Sequence, residues 1–355
     1  MKTTSKSIIF VTILLLMILC GCGIIGLKQI PHKNAETWRT FDPNDYGIEI
    51  QREENGSVSY TWSMDATLNE DMNIMPYWNP WGDVIGVPSV KGYLNENPYP
   101  VIFDTGCNPL LILGEKIVIE NDLAVYFFNP QDIQNSGGLV IADSLQIGSL
   151  ELIDFPCGLW EHRAQFEVLG VPIYKPEIMI MPLVMMRKFN YFKFDDIQKE
   201  ISFSEISSFV PENTSEWLSL PLKFDGLYLL LDVPIEGIDT ELRLDTGAGY
   251  QMKLDISVIE KLFETRPDFE KAWKNTTYLY GPYEGGKSTE KKFTAKNLQF
   301  DGLKLDRVKI IYSNTDQDEQ CHGVIGAELF KKTIMVLDFE NNLMWVKKAK
   351  NSRFE

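Results

Sequence analysis

Residues 101–108 read VIFDTGCN, and residues 242–249 read LRLDTGAG. In both, a run of strand formers ends in Asp, Thr and Gly. One such triplet is most simply a polar turn at a strand end, where Gly permits close backbone approach. Two copies call for more, because an Asp-Thr-Gly arises by chance roughly once in several thousand positions at average composition. The surroundings also match. "VKGYL" turns at Asn95 to Pro98 and returns as "PVIF"; "LDVPI" turns at Glu236-Gly237 and returns as "TELRL". Downstream, "FKFDDIQKEISF" and "MVLDFENNLMWV" each read as strand, polar turn, strand. Asp195 follows Asp104 by 91 residues and Asp338 follows Asp245 by 93. The chain therefore reads as an internal duplication, joined by the Ser/Pro/Asn-rich stretch 204–219.

Working outward, short strand-like segments separated by turn residues dominate, the mark of an all-β chain. "IEIQREENGSVSYTW" carries a hairpin signal at Asn55-Gly56. Helical spacing is confined to Asp255–Glu264, with Asp255 as the expected cap, and to a short stretch at 267–275. The stretch from Tyr77 to Trp81 reads as an irregular packed loop, and the methionines from Met179 to Met186 as core filler.

A duplication that ends two strands in Asp-Thr-Gly implies a chemistry. Two loops related by a pseudo-twofold axis would bring Asp104 and Asp245 together. Two full charges about 3 Å apart repel by roughly 5 kcal/mol at an effective dielectric of about 20. Such a pair keeps one proton between its members, and its titration belongs to the pair. The ionised member can take a proton from water while the protonated member gives one to a carbonyl oxygen. Amide hydrolysis then needs no covalent intermediate.

These residues resemble the two-lobed aspartic proteases of the pepsin and retropepsin group, for which the shared-proton dyad is a known pattern. The resemblance spans about residues 84–348 and rests on "FDTG" at 103–106, "LDTGAG" at 244–249 and "GVIGAELF" at 323–330. It implies an all-β, pepsin-like bilobal fold of two similar β-barrel-like lobes with a few short helices and a cleft between them. It assigns catalysis to Asp104 and Asp245, and support of their loops to Thr105, Gly106, Thr246 and Gly247. The implied activity is that of an aspartic endopeptidase with no cofactor and no metal. Because both acids lie on one chain, a monomer suffices. Departures from the family pattern are Cys107, Asn108 and Gly249 after the triplets, and "EIMIMPLV" (177–184) in place of "GVIGAELF", with Ile180 where Gly is expected. Glycine-containing flap candidates are "NSGGL" (135–139) and "YGPYEGG" (280–286). The departures leave an alternative: a non-catalytic lipoprotein that keeps the fold and binds a peptide or partner in the groove.

The remaining features bound the setting. Lys2 and Lys6 precede an apolar run from Ile8 to Leu19 and then "LCGC". Twelve residues are too few to span a bilayer and suit an export signal. The motif resembles a bacterial lipoprotein signal with Cys22 as the lipidated residue. The expected protein is exported and membrane-anchored, periplasmic or at the cell surface, and acts on peptide or protein. The expected divisions are a signal peptide (1–21), a lipidated tether (22–45), a first lobe with an N-terminal β extension (46–205) and a second lobe (206–355). A formal net charge of −16 argues against nucleic acid as a partner. Beyond the anchor, Cys107, Cys157 and Cys321 allow at most one bridge, and three scattered histidines suggest no metal site. Sequons at Asn55, Asn213 and Asn275 carry no weight in such a context.

Overall fold

The computed structural model describes residues 25–29, 38–52, 58–61, 67–68, 72–78, 87–107, 110–129, 137–160, 164–168, 171–174, 177–226, 228–271, 274–279, 287–313, 321–347, 349 and 352–354. The signal segment, Cys22, Asn55-Gly56, Trp81 and Asn108 lie outside them. The hairpin expected around Asn55 is present in its arms, Glu49–Arg52 paired antiparallel with Val58–Thr61.

Strands carry the fold. The first half runs through β1 (Met72–Pro76), β2 (Ser89–Leu94), β3 (Asn97–Asp104), β4 (Ile112–Gly114), β5 (Gly138–Ile147), β6 (Leu150–Trp160), β7 (Met179–Pro182), β8 (Tyr191–Asp195) and β9 (Glu200–Ser204). The second runs through β10 (Trp217–Asp225), β11 (Tyr228–Asp232), β12 (Glu241–Asp245), β13 (Met252–Leu254), β14 (Lys287–Ala295), β15 (Val308–Ser313), β16 (Gly323–Gly326), β17 (Ile334–Asp338) and β18 (Leu343–Lys347). The order β6-β4-β7-β3-β2 in the first half is repeated as β15-β13-β16-β12-β11 in the second. Both contain the same unusual mixture: β3 runs parallel to β7, and β12 parallel to β16. In the first lobe β5 pairs with both β6 and β2, closing a six-stranded barrel. Among the described residues the second lobe shows no matching closure between β14 and β11. The all-β class with two similar halves is thus as expected, and among the described residues only the first half closes into a barrel.

Local chemistry explains the turns. Asn95 and Glu96 join β2 to β3 with φ of 47° and 69°, the paired left-handed geometry that twists with the strands it connects. Glu236 and Gly237 repeat it before β12. The matched acids at the far ends are turn anchors. Asp195 and Asp338, 2% and 1% exposed, accept backbone N–H bonds from Ile197 and Gln198 and from Asn341 respectively.

A six-stranded sheet joins the halves in the order β10-β18-β17-β8-β9-β1, with β8 antiparallel to β17. Its inner face presents Met75, Ile201, Phe194, Met335 and Val346 in one row, all buried. Phe103, the residue before Asp104, stands 5.3 Å from Phe192 of this sheet, ring centre to ring centre. Apolar packing of that kind fixes where β3 ends. β1 is the outer strand of this sheet, so the segment from Met72 is structural rather than appended.

Two expected helices form, Ile256–Thr265 and Pro267–Lys271. Asp255 occupies the N-cap position, but its side chain makes no capping bond, and only its carbonyl accepts from Val258 and Ile259. Met179, Met181, Met185 and Met186 are all buried. No disulfide joins the three described cysteines, of which Cys157 and Cys321 are buried and Cys107 half-buried. Burial pushes the Cys157 thiol well above its usual range, so it behaves as a small apolar filler.

Candidate active site

β3 and β12 end side by side at the junction of the lobes, and the triplets interlock there. The backbone N–H of Thr105 donates to Thr246 Oγ1 at 3.0 Å, while Thr105 Oγ1 donates to the Leu244 carbonyl at 2.6 Å. The reciprocal bonds have the same lengths: Thr246 N–H to Thr105 Oγ1, 3.0 Å, and Thr246 Oγ1 to the Phe103 carbonyl, 2.6 Å. Both threonines are essentially excluded from solvent, at 0% and 1% exposure. Each hydroxyl is thereby donor and acceptor across the axis, using both halves of its capacity. Replacing Thr246 by Val leaves the Thr105 N–H and the Phe103 carbonyl buried without partners. Each orphan costs about 1–3 kcal/mol. Thr246→Val should therefore lower unfolding free energy by about 2–5 kcal/mol in denaturant titrations, and Thr246→Ser by much less.

The glycines bring the acids together. A Cβ built on Gly106 would lie 2.5 Å from Asp245 Cγ, and one on Gly247 would lie 2.2 Å from Asp104 Cγ. Each carboxyl therefore rests on the backbone of the opposite loop. Asp104 Oδ1 accepts from Gly106 N–H at 2.8 Å, and Asp245 Oδ1 from Gly247 N–H at 3.0 Å. The two side chains are in hydrogen-bonding contact with one another. Burial pushes the Asp104 carboxyl up to about 7, and the neighbouring Asp245 charge adds to the rise. Asp245 is raised too, by burial, but less freely: the Arg243 guanidinium, the bond from Asp104 and the N–H groups of Gly247 and Ala248 favour its anion. The pair therefore holds one proton between its two titrations, which belong to the pair rather than to either residue.

The segment beneath each loop differs between the halves. Gly326 of β16 is the register partner of Asp245, and a Cβ there would meet the Tyr250 carbonyl at 2.2 Å. Its N–H donates to the Gln251 carbonyl at 3.1 Å. In the first half the residue opposite Asp104 is Pro182, not Ile180. The sequence alignment of "EIMIMPLV" slips by two residues, because strand identity alone does not set register. Pro182 has no N–H to repeat the Gly326 bond and carries a ring where the second half has no side chain. The asymmetry beneath the dyad is therefore larger than an Ile-for-Gly exchange.

Of the first flap candidate, 135–139, Gly138 and Leu139 belong to β5 and are buried, and Phe128 N–H donates to the Gly137 carbonyl at 3.0 Å. Residues 135–136 lie outside the described residues, as does the second candidate, 280–286, between Lys274–Leu279 and β14. The Glu49–Thr61 hairpin packs against this part of β5, with Ile48, Ile50 and Tyr60 clustered on Leu139, Ile141 and Tyr126. Sequence patterning shows that hairpin but not its seat, since tertiary packing decides where a two-stranded unit docks. Arg243 escaped the sequence reading as well. Its signal was its place two residues before Asp245, which strand alternation puts on the same face. A cavity of about 550 Å³ lies beside the loops, lined by Tyr77, Val87, Phe194, Thr246, Ala327 and Phe330, and neither carboxylate lines it.

No protein-family profile and no curated protein matches the sequence. Among solved structures the chain is similar to a basic 7S globulin from soybean, with a TM-score of 0.46 and 10% identity over 79% of this chain and 97% of that one. Conglutin gamma from lupine seeds gives 0.43, 9%, 79% and 95% in the same terms. An aspartic proteinase from Irpex lacteus gives 0.44, 11%, 78% and 97%. The repeated strand order and interlocked loops of this chain, rather than these likenesses, define its architecture.

Proposed function

We propose that the protein is an aspartic endopeptidase, exported and held to a membrane by lipid on Cys22, which hydrolyses peptide bonds at the Asp104–Asp245 pair. The observation that carries the reading is the mutual seating of each carboxyl on the other loop's glycine, around four reciprocal threonine bonds. In the proposed reaction Asp245, the anion, takes a proton from a water held between the acids. The hydroxide attacks the carbonyl carbon of the scissile peptide. Asp104 gives its proton to the carbonyl oxygen, producing a neutral tetrahedral diol. Asp245 then gives the proton it took from water to the amide nitrogen while Asp104 takes one from a diol hydroxyl, so that the C–N bond breaks to an acid and an amine and the pair again holds one proton.

Pro182 favours a second reading, a peptide- or partner-binding lipoprotein without catalysis. Incubating the full chain with a diverse peptide mixture from acidic to slightly alkaline pH separates the two. Fragments that vanish with a statine-type inhibitor support the endopeptidase. Peptides retained intact at every pH, but bound, support the second reading. The endopeptidase should lose rate above about pH 7, because losing the shared proton removes the acid.

A further inference from the structure

The duplication delivers equivalent strands to the dyad but not equivalent side chains. Alternation along β12 puts Glu241, Arg243 and Asp245 on one half-exposed face, with Leu242 and Leu244 fully buried on the other. Ile102 stands in the same relation to Asp104. The face continues across the neighbouring strands: Ile180 beside Ile102 and Ile112 beside Ile180, matched by Val324 beside Arg243 and Lys253 beside Val324. Two residues upstream on the same strands, Ile178 corresponds to His322. Through the partners Ser89 and Leu230, Val87 corresponds to Tyr228.

In the first lobe this face is apolar beside Asp104, with Ser89, opposite Ile102, buried and donating its hydroxyl to the Trp78 carbonyl. Val87, Ile102, Ile178 and Ile180 form one cluster, joined by Ile112 and by Cys107 of the catalytic loop. In the second lobe the positions of Ile102, Ile112 and Ile178 are taken by Arg243, Lys253 and His322. The Arg243 guanidinium lies 5.1 Å from the Tyr228 ring centre, and its charge reaches both aspartates. The other acids on this face, Glu241 and its register partner Asp232, are engaged by Lys223, whose Nζ lies 3.6 Å from the Glu241 carboxylate, and the Glu241 N–H donates to His322 Nδ1 at 3.0 Å.

We infer that the second-lobe wall, Arg243 with Lys253, is a subsite for an acidic side chain of the substrate, and that the first-lobe wall is a subsite for an apolar one. The substrate class is then a peptide bearing Asp or Glu on one side of the scissile bond and an aliphatic or aromatic residue on the other. This rests on the reading of the dyad as a peptide site. A guanidinium beside a cleft prefers a carboxylate over its amide because the bond is charge-assisted and can be bidentate.

The test uses matched peptides, Glu against Gln at each position flanking the bond, with apolar residues elsewhere. Wild-type protein should prefer Glu at one position by about tenfold or more in kcat/KM. Arg243→Ile, which installs the first lobe's own residue, should bring that ratio close to one, while Arg243→Lys should retain most of it. Raising salt should shrink it. Cleavage with equal rates for Glu and Gln, or a preference that survives Arg243→Ile and Lys253→Gln together, overturns the inference and leaves the endopeptidase standing. Should no peptide be cleaved, fluorescence anisotropy of the same labelled pair decides. Tighter binding of the Glu peptide that Arg243→Ile abolishes upholds the subsite without the protease. Equal or absent binding overturns it.

Discussion

Asp104→Asn and Asp245→Asn are each expected to cut peptide cleavage by about 10³-fold or more, and Asp104→Asn to make the protein more stable above about pH 7. The first effect follows from chemistry. An amide neither accepts a proton from water nor gives one to a carbonyl oxygen, and general acid and base contributions are typically worth 10²–10⁴ each. The second follows from linkage. Asp104 titrates near 4 in an unfolded chain and at about 7 in the folded one, because burial disfavours its charge. Between those pH values the native state binds more protons than the unfolded state, so stability falls as pH rises through the window and stays low above it. The upper bound on that loss is about 4 kcal/mol. Asn at 104 keeps the shape, can accept from Gly106 N–H and donate to Asp245, and has no charge to bury. Thermal melts of both proteins across the window, run beside peptide assays, read the two effects together. Cleavage within tenfold of wild type would remove the dyad from the mechanism. A parallel pH dependence of stability in both proteins would show that Asp104 does not carry the shared proton.

How far the sequence could be read depended on whether the signal was local. Asp-Thr-Gly is a short motif whose chemistry sits in three consecutive residues, so both copies stood out, as did the acid-turn hairpins that end each half. The buried aspartates Asp195 and Asp338 recur because they satisfy backbone N–H groups of their own turns, again a local demand. What depends on register was not legible. Pro182 faces Asp104 only because β7 slides two residues from where its apolar pattern placed it. An alternating run such as Met179–Ile180–Met181 gives little internal cue to that slip, with both faces buried. Nor does the sequence reveal that β1 joins the inter-lobe sheet, since its five residues have no turn partner. Arg243 is the instructive case. It interrupts a strand whose other members are apolar or acidic, and a charged residue two places before a candidate catalytic acid is itself a signal. Its weight emerged only once the first lobe showed Ile102 at the same position.

Gly247→Ala should abolish cleavage and destabilise the protein by several kcal/mol, a large effect for one methyl group. Its added Cβ would sit 2.2 Å from Asp104 Cγ, with both Asp104 oxygens within 2.6 Å. No rotamer change relieves a clash with a group held by its own loop, and forced overpacking of this kind costs about 1–3 kcal/mol or more. The backbone offers no competing explanation, since Gly247 does not have a positive φ and alanine could adopt its conformation. Gly226 supplies the contrast: its φ is 56° but nothing lies within 4 Å of an added Cβ, so Gly226→Ala should cost only about 1 kcal/mol of backbone strain. The steric account makes a further demand on Gly247. Removing the opposing carboxyl in Gly247→Ala/Asp104→Ser should restore most of the lost stability while leaving the protein inactive, a strongly non-additive cycle. Additive losses in the double variant would mean that the two loops are not seated on one another, and a dyad that is not seated in this way cannot share a proton.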